Sequence, residues 1–403
     1  MHLPKVLQQR AASDRGLVTY IQVNRDRCPA MLKVPSNKWL LHIYSLDVMK
    51  RADKMKASIT SVLGSILKSD STRKVAKKLA GHVKNAAAWC TNIGNEYGQV
   101  LISVMAVGEG RNLRLLCQGS SSRYSVAAEP PPQLMYVDRD CCTENDFHEY
   151  WPELQVRLDI WHFMRRFARG CTTKTHPLYA MFMRQLGACI FEWDAGDLPS
   201  LVQARKQESS SHHKDAQALA NLKLDELAMY CRRKTRGVEQ TTELLVDLIC
   251  AYKASNRNDT TGVPLIDPVV MDEIWRQQCR HIPCIQDTDN VQLYTKLAVV
   301  DKGVVKLTQY RCARVLSSLP NAFIPVLNAE IVVLAYFNPL IAYVLVHISC
   351  ILVHLRMYLI YFISGTTMNA THFQAMLLDG ICRWNADRER DAVNADRANV
   401  IQL

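Results

Sequence analysis

None of the 14 cysteines forms a Cys-x-x-Cys pair, so no spacing argues for a zinc ribbon or finger. Nor is a zinc-finger or helix-turn-helix pattern legible that would read a DNA sequence. The first residues lack an apolar signal core, because Lys5, Arg10 and Arg15 interrupt them. These absences predict a reducing compartment, nucleus or cytoplasm, with mostly free thiols. Cys141-Cys142 reads most simply as two free thiols at a helix start.

One absence is local. Residues 331–355 contain no Asp, Glu, Lys or Arg, and the apolar character continues to Ile363 past Arg356. About 20 apolar residues suffice to cross a bilayer. Lys302, Lys306, Arg311 and Arg314 precede the run, so a single-pass protein would keep its large N-terminal part cytosolic. The competing reading is an insertion, or a translated intron, in residues 326–364.

The remaining composition is that of a globular chain. Of 403 residues, 48% are hydrophobic and 22% charged, enough for a large core and two domains. The net charge of +11 is concentrated: residues 1–90 hold 17 Lys/Arg against 5 Asp/Glu, leaving the rest near neutral. A basic end on a neutral body suits a polyanion such as DNA; a solvated helix face is the ordinary alternative.

Patterning predicts a strand over 39–44, then a basic helix from an Asp47 cap to about residue 63. Short strands are expected at 65–69, 87–93 and 99–107, the last two joined at Gly94-Asn95-Glu96-Tyr97-Gly98. A helix over 113–126, strands at 133–137 and 154–160, and a basic helix over 161–169 follow. Three strands with short connections, then alternating helix and strand, imply an α/β fold. It is expected to be a ribonuclease H-like mixed sheet flanked by helices, with a largely helical insertion and a C-terminal apolar helix. The expected divisions are a basic segment 1–64, a core 65–177, a helical insertion 178–302, a remnant of the core 303–325, the apolar segment 326–364 and a helical tail 365–403.

Two segments end a strand on an Asp: Ser65-Ile66-Leu67-Lys68-Ser69-Asp70 and Leu134-Met135-Tyr136-Val137-Asp138. Ends of adjacent strands can bring carboxylates together around Mg²⁺ or Mn²⁺, which prefer oxygen ligands and activate water for phosphodiester chemistry. Asp140 is a further metal candidate. As turn or cap residues, the same side chains would need no metal.

Ile66-Leu67-Lys68-Ser69-Asp70-Ser71-Thr72 resembles the first-Asp motif of Mutator-like and related DDE transposases, and Val137-Asp138-Arg139-Asp140 their second. Trp151-Pro152 through Leu158-Asp159-Ile160-Trp161-His162 is similar to a following segment that ends in Cys-x-Trp-His. The likeness extends to uncharacterised transposon-derived proteins repeated in fish genomes, covering roughly 37–325 and 365–388. It implies a ribonuclease H-like core, DNA as partner, Asp70 and Asp138 as catalytic residues, and Mg²⁺ or Mn²⁺ as cofactor. Asp159 stands at the family's Cys, so His162 is expected as a packed histidine at a helix start. The family's third carboxylate lies in a helix after the strand near 310–314; here Pro320 occupies that place. Glu239, Glu243 and Glu330 are the remaining candidates. The resemblance therefore implies a transposase-like protein that is catalytically defective yet retains DNA binding. A membrane protein without enzymatic role and an active nuclease or transposase are the alternatives.

Lys74, Lys77, Lys78, Arg165, Arg166 and Arg169 are the expected phosphate contacts, with Lys68 and Lys84 nearby. The run Cys231-Arg232-Arg233-Lys234-Thr235-Arg236 matches a nuclear signal in composition. A homo-oligomer is a further expectation.

Overall fold

The computed structural model describes residues 36–72, 89–106, 113–142, 146–208, 222–254, 258–259, 262–314 and 370–400. Residues 326–364, including the uncharged run, lie outside them, as do Lys74, Lys77, Lys78, Lys84, Pro320 and Glu330. No helix among the described residues is long and apolar enough to cross a membrane.

The described residues open on a helix, not on the strand expected over 39–44. Ser36 Oγ accepts the Trp39 amide at 3.3 Å and opens α1, Asn37–Lys50. Leu41, Tyr44 and Val48 recur at helical spacing and are buried together. Asp47, expected as a helix cap, lies inside α1 and pairs with Arg51 one turn later, at 2.7 Å. The helix breaks at Arg51, and α2 runs Ala52–Thr60.

Five strands build the main sheet: β1 Ile66–Thr72, β2 Trp89–Gly94, β3 Val100–Ala106, β4 Leu134–Val137 and β5 Gln155–Leu158. Helix α3, Arg114–Ala127, lies between β3 and β4 in sequence. The order across the sheet is β3-β2-β1-β4-β5. β1, β2 and β3 are antiparallel neighbours, whereas β1–β4 and β4–β5 are parallel. The β2–β3 turn follows from its residues. Buried Asn95 accepts the Tyr97 and Gln99 amides at 3.1 and 2.9 Å, and Gly98 supplies a φ of 81°. Glu96 from the same turn accepts from Ser65 and from the Ile66 amide, securing the start of β1.

Side chains from the two faces of β1 and β4 enter separate cores. Leu67, Met135 and Val137 pack with α3, Phe147, Trp151 and Leu154. Ile66, Leu134 and Tyr136 pack with Ile59, Ala313, Ile381 and Trp384. Burial on both faces explains why these strands read as nearly continuous apolar runs. Arg123 of α3 donates to the carbonyls of Thr60 at 3.0 Å and Val62 at 2.7 Å, satisfying the end of α2.

After β5, Asp159 caps α4, Ile160–Phe167, by accepting the His162 amide. There follow α5 Tyr179–Ile190, β6 Phe191–Trp193, α6 Asp197–Glu208, α7 Leu224–Tyr230, β7 Arg233–Thr235, α8 Val238–Lys253 and α9 Pro268–Gln278. Phe163, Phe167, Phe182, Leu186, Leu245 and Met271 join α4, α5, α8 and α9 in one core. Strands β8, Tyr294–Lys302, and β9, Val305–Cys312, form a hairpin that spans the division expected at 302. Gly303, at φ 65°, permits its tight turn.

The described chain resumes with α10, Ala370–Val400, which packs on α1, α2 and β8. Tyr44 Oη donates to Asp379 at 2.6 Å. At the sheet edge, Asn385 accepts the Val100 amide at 2.7 Å and donates to the Val100 carbonyl at 2.8 Å. Trp384 Nε1 donates to the Gly98 carbonyl at 2.7 Å.

Candidate metal centre

The sheet register places the two Asp residues. Lys68 of β1 lies opposite Tyr136 of β4 in a parallel pair. Two residues further along each strand come Asp70, inside β1 and paired with Asn92 where a strand end was expected, and Asp138, one residue past the end of β4 and on the same face. The third member comes from α4, whose N-terminus follows β5, the next strand. His162 Nε2 lies 3.6 Å from Asp70 Oδ1. One donor atom from each of Asp70, Asp138 and His162 falls within 4.8 Å of the others.

His162 is oriented from behind. Asp159 Oδ1 is 2.9 Å from the His162 amide nitrogen and 3.0 Å from Nδ1. A proton on Nδ1 satisfies that contact and leaves the Nε2 lone pair facing the carboxylates. A carboxylate placed this way behind a metal-ligating histidine sets its tautomer and ring angle. Asp159 itself is buried, 2% exposed.

The electrostatics fit a cation. Burial pushes the Asp70 carboxyl up to about 6; the His162 charge opposes that rise and the Asp138 charge adds to it. Burial likewise raises Asp138, partly offset by His162 and Arg139. Burial alone would lower His162, but its bond to Asp159 and the charges of Asp159, Asp70 and Asp138 outweigh it, and the net shift is upward. Two half-buried carboxylates held side by side are costly when ionised, and a divalent cation relieves that cost. Two oxygens and one imidazole nitrogen suit Mn²⁺ well and Mg²⁺ through the carboxylates, with water or phosphate oxygen completing the shell.

Other expected site residues fall in different places. Asp140 is exposed, adopts φ 58° and is not part of the three-residue group. Its left-handed backbone turns the chain, so the alternation along β4 does not carry on to it. Glu239 and Glu243 are exposed on α8 and likewise stand outside the group. Lys68, expected to track phosphate beside Asp70, is buried in the sheet at 1% exposure; desolvation lowers its pKa to about 8. Arg166 points inward: it donates to the Asp138 carbonyl at 2.6 Å and to Gln278 Oε1 at 2.8 Å. Arg165 and Arg169 of the same segment are exposed, Arg165 lying over the Trp161 ring at 5.0 Å.

The basic run at 231–236 is built into the fold. Arg232 pairs with Asp197 at 2.7 Å, Lys234 and Arg236 with Glu192, and Arg233 stacks on Phe191 and Trp193. It is a brace between β6 and β7 more than an extended signal.

The sequence marks His162 as a histidine at a helix start and does not assign it to the site. The available signal was Asp159 and His162 at i and i+3 across a strand-to-helix junction, the spacing at which a capping carboxylate also reaches the side chain. Comparison with protein-family models, with curated proteins and with solved structures finds no match to this chain.

Proposed function

We propose that this chain is a transposon-derived, DDE transposase-like protein of ribonuclease H-like architecture that binds DNA and a divalent cation but is catalytically defective. The observation that carries this reading is the convergence within 4.8 Å of Asp70 from β1, Asp138 just past β4 and His162 from the first turn of α4. The strand order β3-β2-β1-β4-β5, with three antiparallel strands followed by two parallel ones, supports it. Asp70 and Asp138 would hold Mg²⁺ or Mn²⁺, which when bound lowers the charge on a phosphate and activates water. His162 would supply a nitrogen ligand, and exposed Arg165 and Arg169 would meet the nucleic-acid backbone. Pro320, where the resemblance implies a third carboxylate, supports the defective reading: each ten-fold loss of rate corresponds to ~1.4 kcal/mol of barrier.

The test is Mn²⁺ binding by titration calorimetry, alongside nicking of supercoiled DNA. Binding that Asp70→Asn and Asp138→Asn abolish, without nicking, is the expected result. Nicking that Asp138→Ala removes would show an active enzyme instead. Wild-type protein that binds no Mn²⁺ would overturn the site. The proposed location is nucleus or cytoplasm.

A further inference from the structure

A second cluster of metal-ligating side chains lies beside the first and takes no part in it. Cys141 and Cys142 occupy the turn that follows β4, three and four residues beyond Asp138. His281 ends the short 3-10 turn Cys279–His281, and Cys284 lies in the next one, Pro283–Ile285. Each residue presents one donor atom, and all four atoms lie within 4.8 Å of one another.

The separations are those of a coordination shell. Cys141 Sγ and Cys142 Sγ are 3.7 Å apart. His281 Nδ1 stands 3.3 Å from Cys141 Sγ and 3.2 Å from Cys142 Sγ. Cys142 Sγ and Cys284 Sγ are 3.2 Å apart. Tetrahedral Zn²⁺, with Zn–S of about 2.3 Å and Zn–N of about 2.0 Å, requires edges of ~3.8 Å between sulfurs and ~3.5 Å between sulfur and nitrogen. The Cys141–Cys142 edge and both sulfur–nitrogen edges fall within about 0.3 Å of those values, and the Cys142–Cys284 edge is about 0.6 Å shorter, a gap that a small side-chain rotation opens. All four cysteines of this neighbourhood, Cys279 included, are free thiols.

From this geometry we infer that Cys141, Cys142, His281 and Cys284 form a structural Zn²⁺ site. Three thiolates and one imidazole fill all four positions, leaving none for substrate, as in zinc sites that hold a fold together. Their affinity for a soft or borderline cation also separates this site from the oxygen-rich one at Asp70. The framework is anchored: Ile282, within the His-x-x-Cys turn, and Ile285, just after it, are 1% and 2% exposed in the main helical core. Arg157, Arg166 and Arg280 interact electrostatically with members of the cluster and offset the thiolate charge. His281 Nε2 lies 3.4 Å from Arg280 Nε. A metal on Nδ1 would leave the ring proton on Nε2, and exposed Arg280 would turn away.

The ion would tie the turn carrying Asp138 to the segment that follows α9. Arg166 makes the same connection, bridging the Asp138 carbonyl and Gln278. The zinc site is thus a positioning device for the neighbouring acidic site, and it does not depend on what that site does. Binding displaces the thiol protons to solvent, so retention is expected to weaken in acid.

Metal analysis of the full chain, purified under reducing conditions and dialysed, is expected to find one zinc per chain. Cys142→Ser with Cys284→Ser should remove it, whereas Asp70→Asn, Asp138→Asn and Cys279→Ser should retain it. Cobalt substitution should give intense thiolate-to-metal absorption and tetrahedral visible bands. If the double serine variant does not fold, Cys284→His keeps a ligand and should retain one metal with an altered cobalt spectrum. Protein without zinc that also fails to bind added Zn²⁺ or Co²⁺ overturns the assignment. So does zinc content unchanged in the folded serine variants, or a Cys142–Cys284 disulfide in protein purified under those conditions.

Discussion

Asp159 grips His162 at two points through a single oxygen, the backbone amide at 2.9 Å and Nδ1 at 3.0 Å. The same atom therefore starts α4 and sets the imidazole. Asp159→Asn preserves a capping oxygen but weakens the hold on the ring. Such outer partners typically contribute 10–100-fold to metal affinity. Mn²⁺ affinity is expected to fall by about that factor while the thermal midpoint moves little. Asp159→Ala should lose the cap as well, about 1 kcal/mol. Calorimetric titration and thermal melts of the two variants separate the roles; equal Mn²⁺ affinity in all three proteins would remove Asp159 from the site.

Metal-free protein should become less stable as pH rises through weak acid. Asp70 is raised from 3.8 to about 6 in the fold, chiefly by burial, and His162 is also shifted upward from 6.5. Both hold their protons more tightly folded than unfolded. Their contribution is complete below the unfolded values and is lost as pH climbs through the folded ones. For Asp70 that window runs from 3.8 to about 6. Thermal midpoints across it should fall more steeply in wild type than in Asp70→Asn. Identical slopes would remove Asp70 from the account.

Arg165 and Arg166 are neighbours with opposite surroundings, the first exposed and the second bonded inward. Arg166→Ala strips two hydrogen bonds, those to the Asp138 carbonyl and to Gln278, each involving a charged donor. A loss of about 1.5–3 kcal/mol is expected, with weaker Mn²⁺ binding. Arg165→Ala should leave the melting temperature within a degree or two and weaken DNA binding. Denaturant titration and filter binding on both proteins check the contrast.

Lys74, Lys77 and Lys78 follow directly on β1 in sequence. If all three meet phosphates, their replacement by Ala flattens the dependence of log affinity on log salt by about 0.9 per contact on duplex DNA. An unchanged slope takes them out of the interface.

The uncharged run can be removed experimentally. Ala313 and the α10 residues Ile381 and Trp384 share one core, so both flanks of residues 315–369 are fixed by the same packing. Loop-closure cost changes by only about 0.6 kcal/mol per doubling of length. Deleting residues 326–364 is expected to leave the melting temperature of the core nearly unchanged and to raise soluble yield. Loss of cooperative unfolding would show instead that the run belongs to the fold.

Much of the sheet is legible in the sequence because its signals are local. Asn95 and Gly98 specify the β2–β3 turn through their own side chain and φ. Asp138 does follow the end of β4, whereas β1 continues past Asp70 to Thr72 because Ser71 and Thr72 stay paired with β2. Residues 39–44 mislead because Trp, Ile and Tyr favour strands in isolation. The decision comes from Ser36 three residues before Trp39 and from burial against α10, which a short window does not contain. β8 is hard to see because most of its residues are only partly buried. The cysteine–histidine cluster is least legible, since folding brings together two pairs of residues about 140 positions apart in sequence. Arg166 differs from Arg165 only in which way α4 turns it.

Asn385 gives its whole amide group to Val100, on the outermost strand of the sheet. A side chain here fills a place that another peptide could otherwise take. Open strand edges invite pairing between copies. A chain ending before Ala370 would lose this guard together with Trp384. Its hazard would then be less a missing activity than growth, copy upon copy, along the uncovered edge of β3.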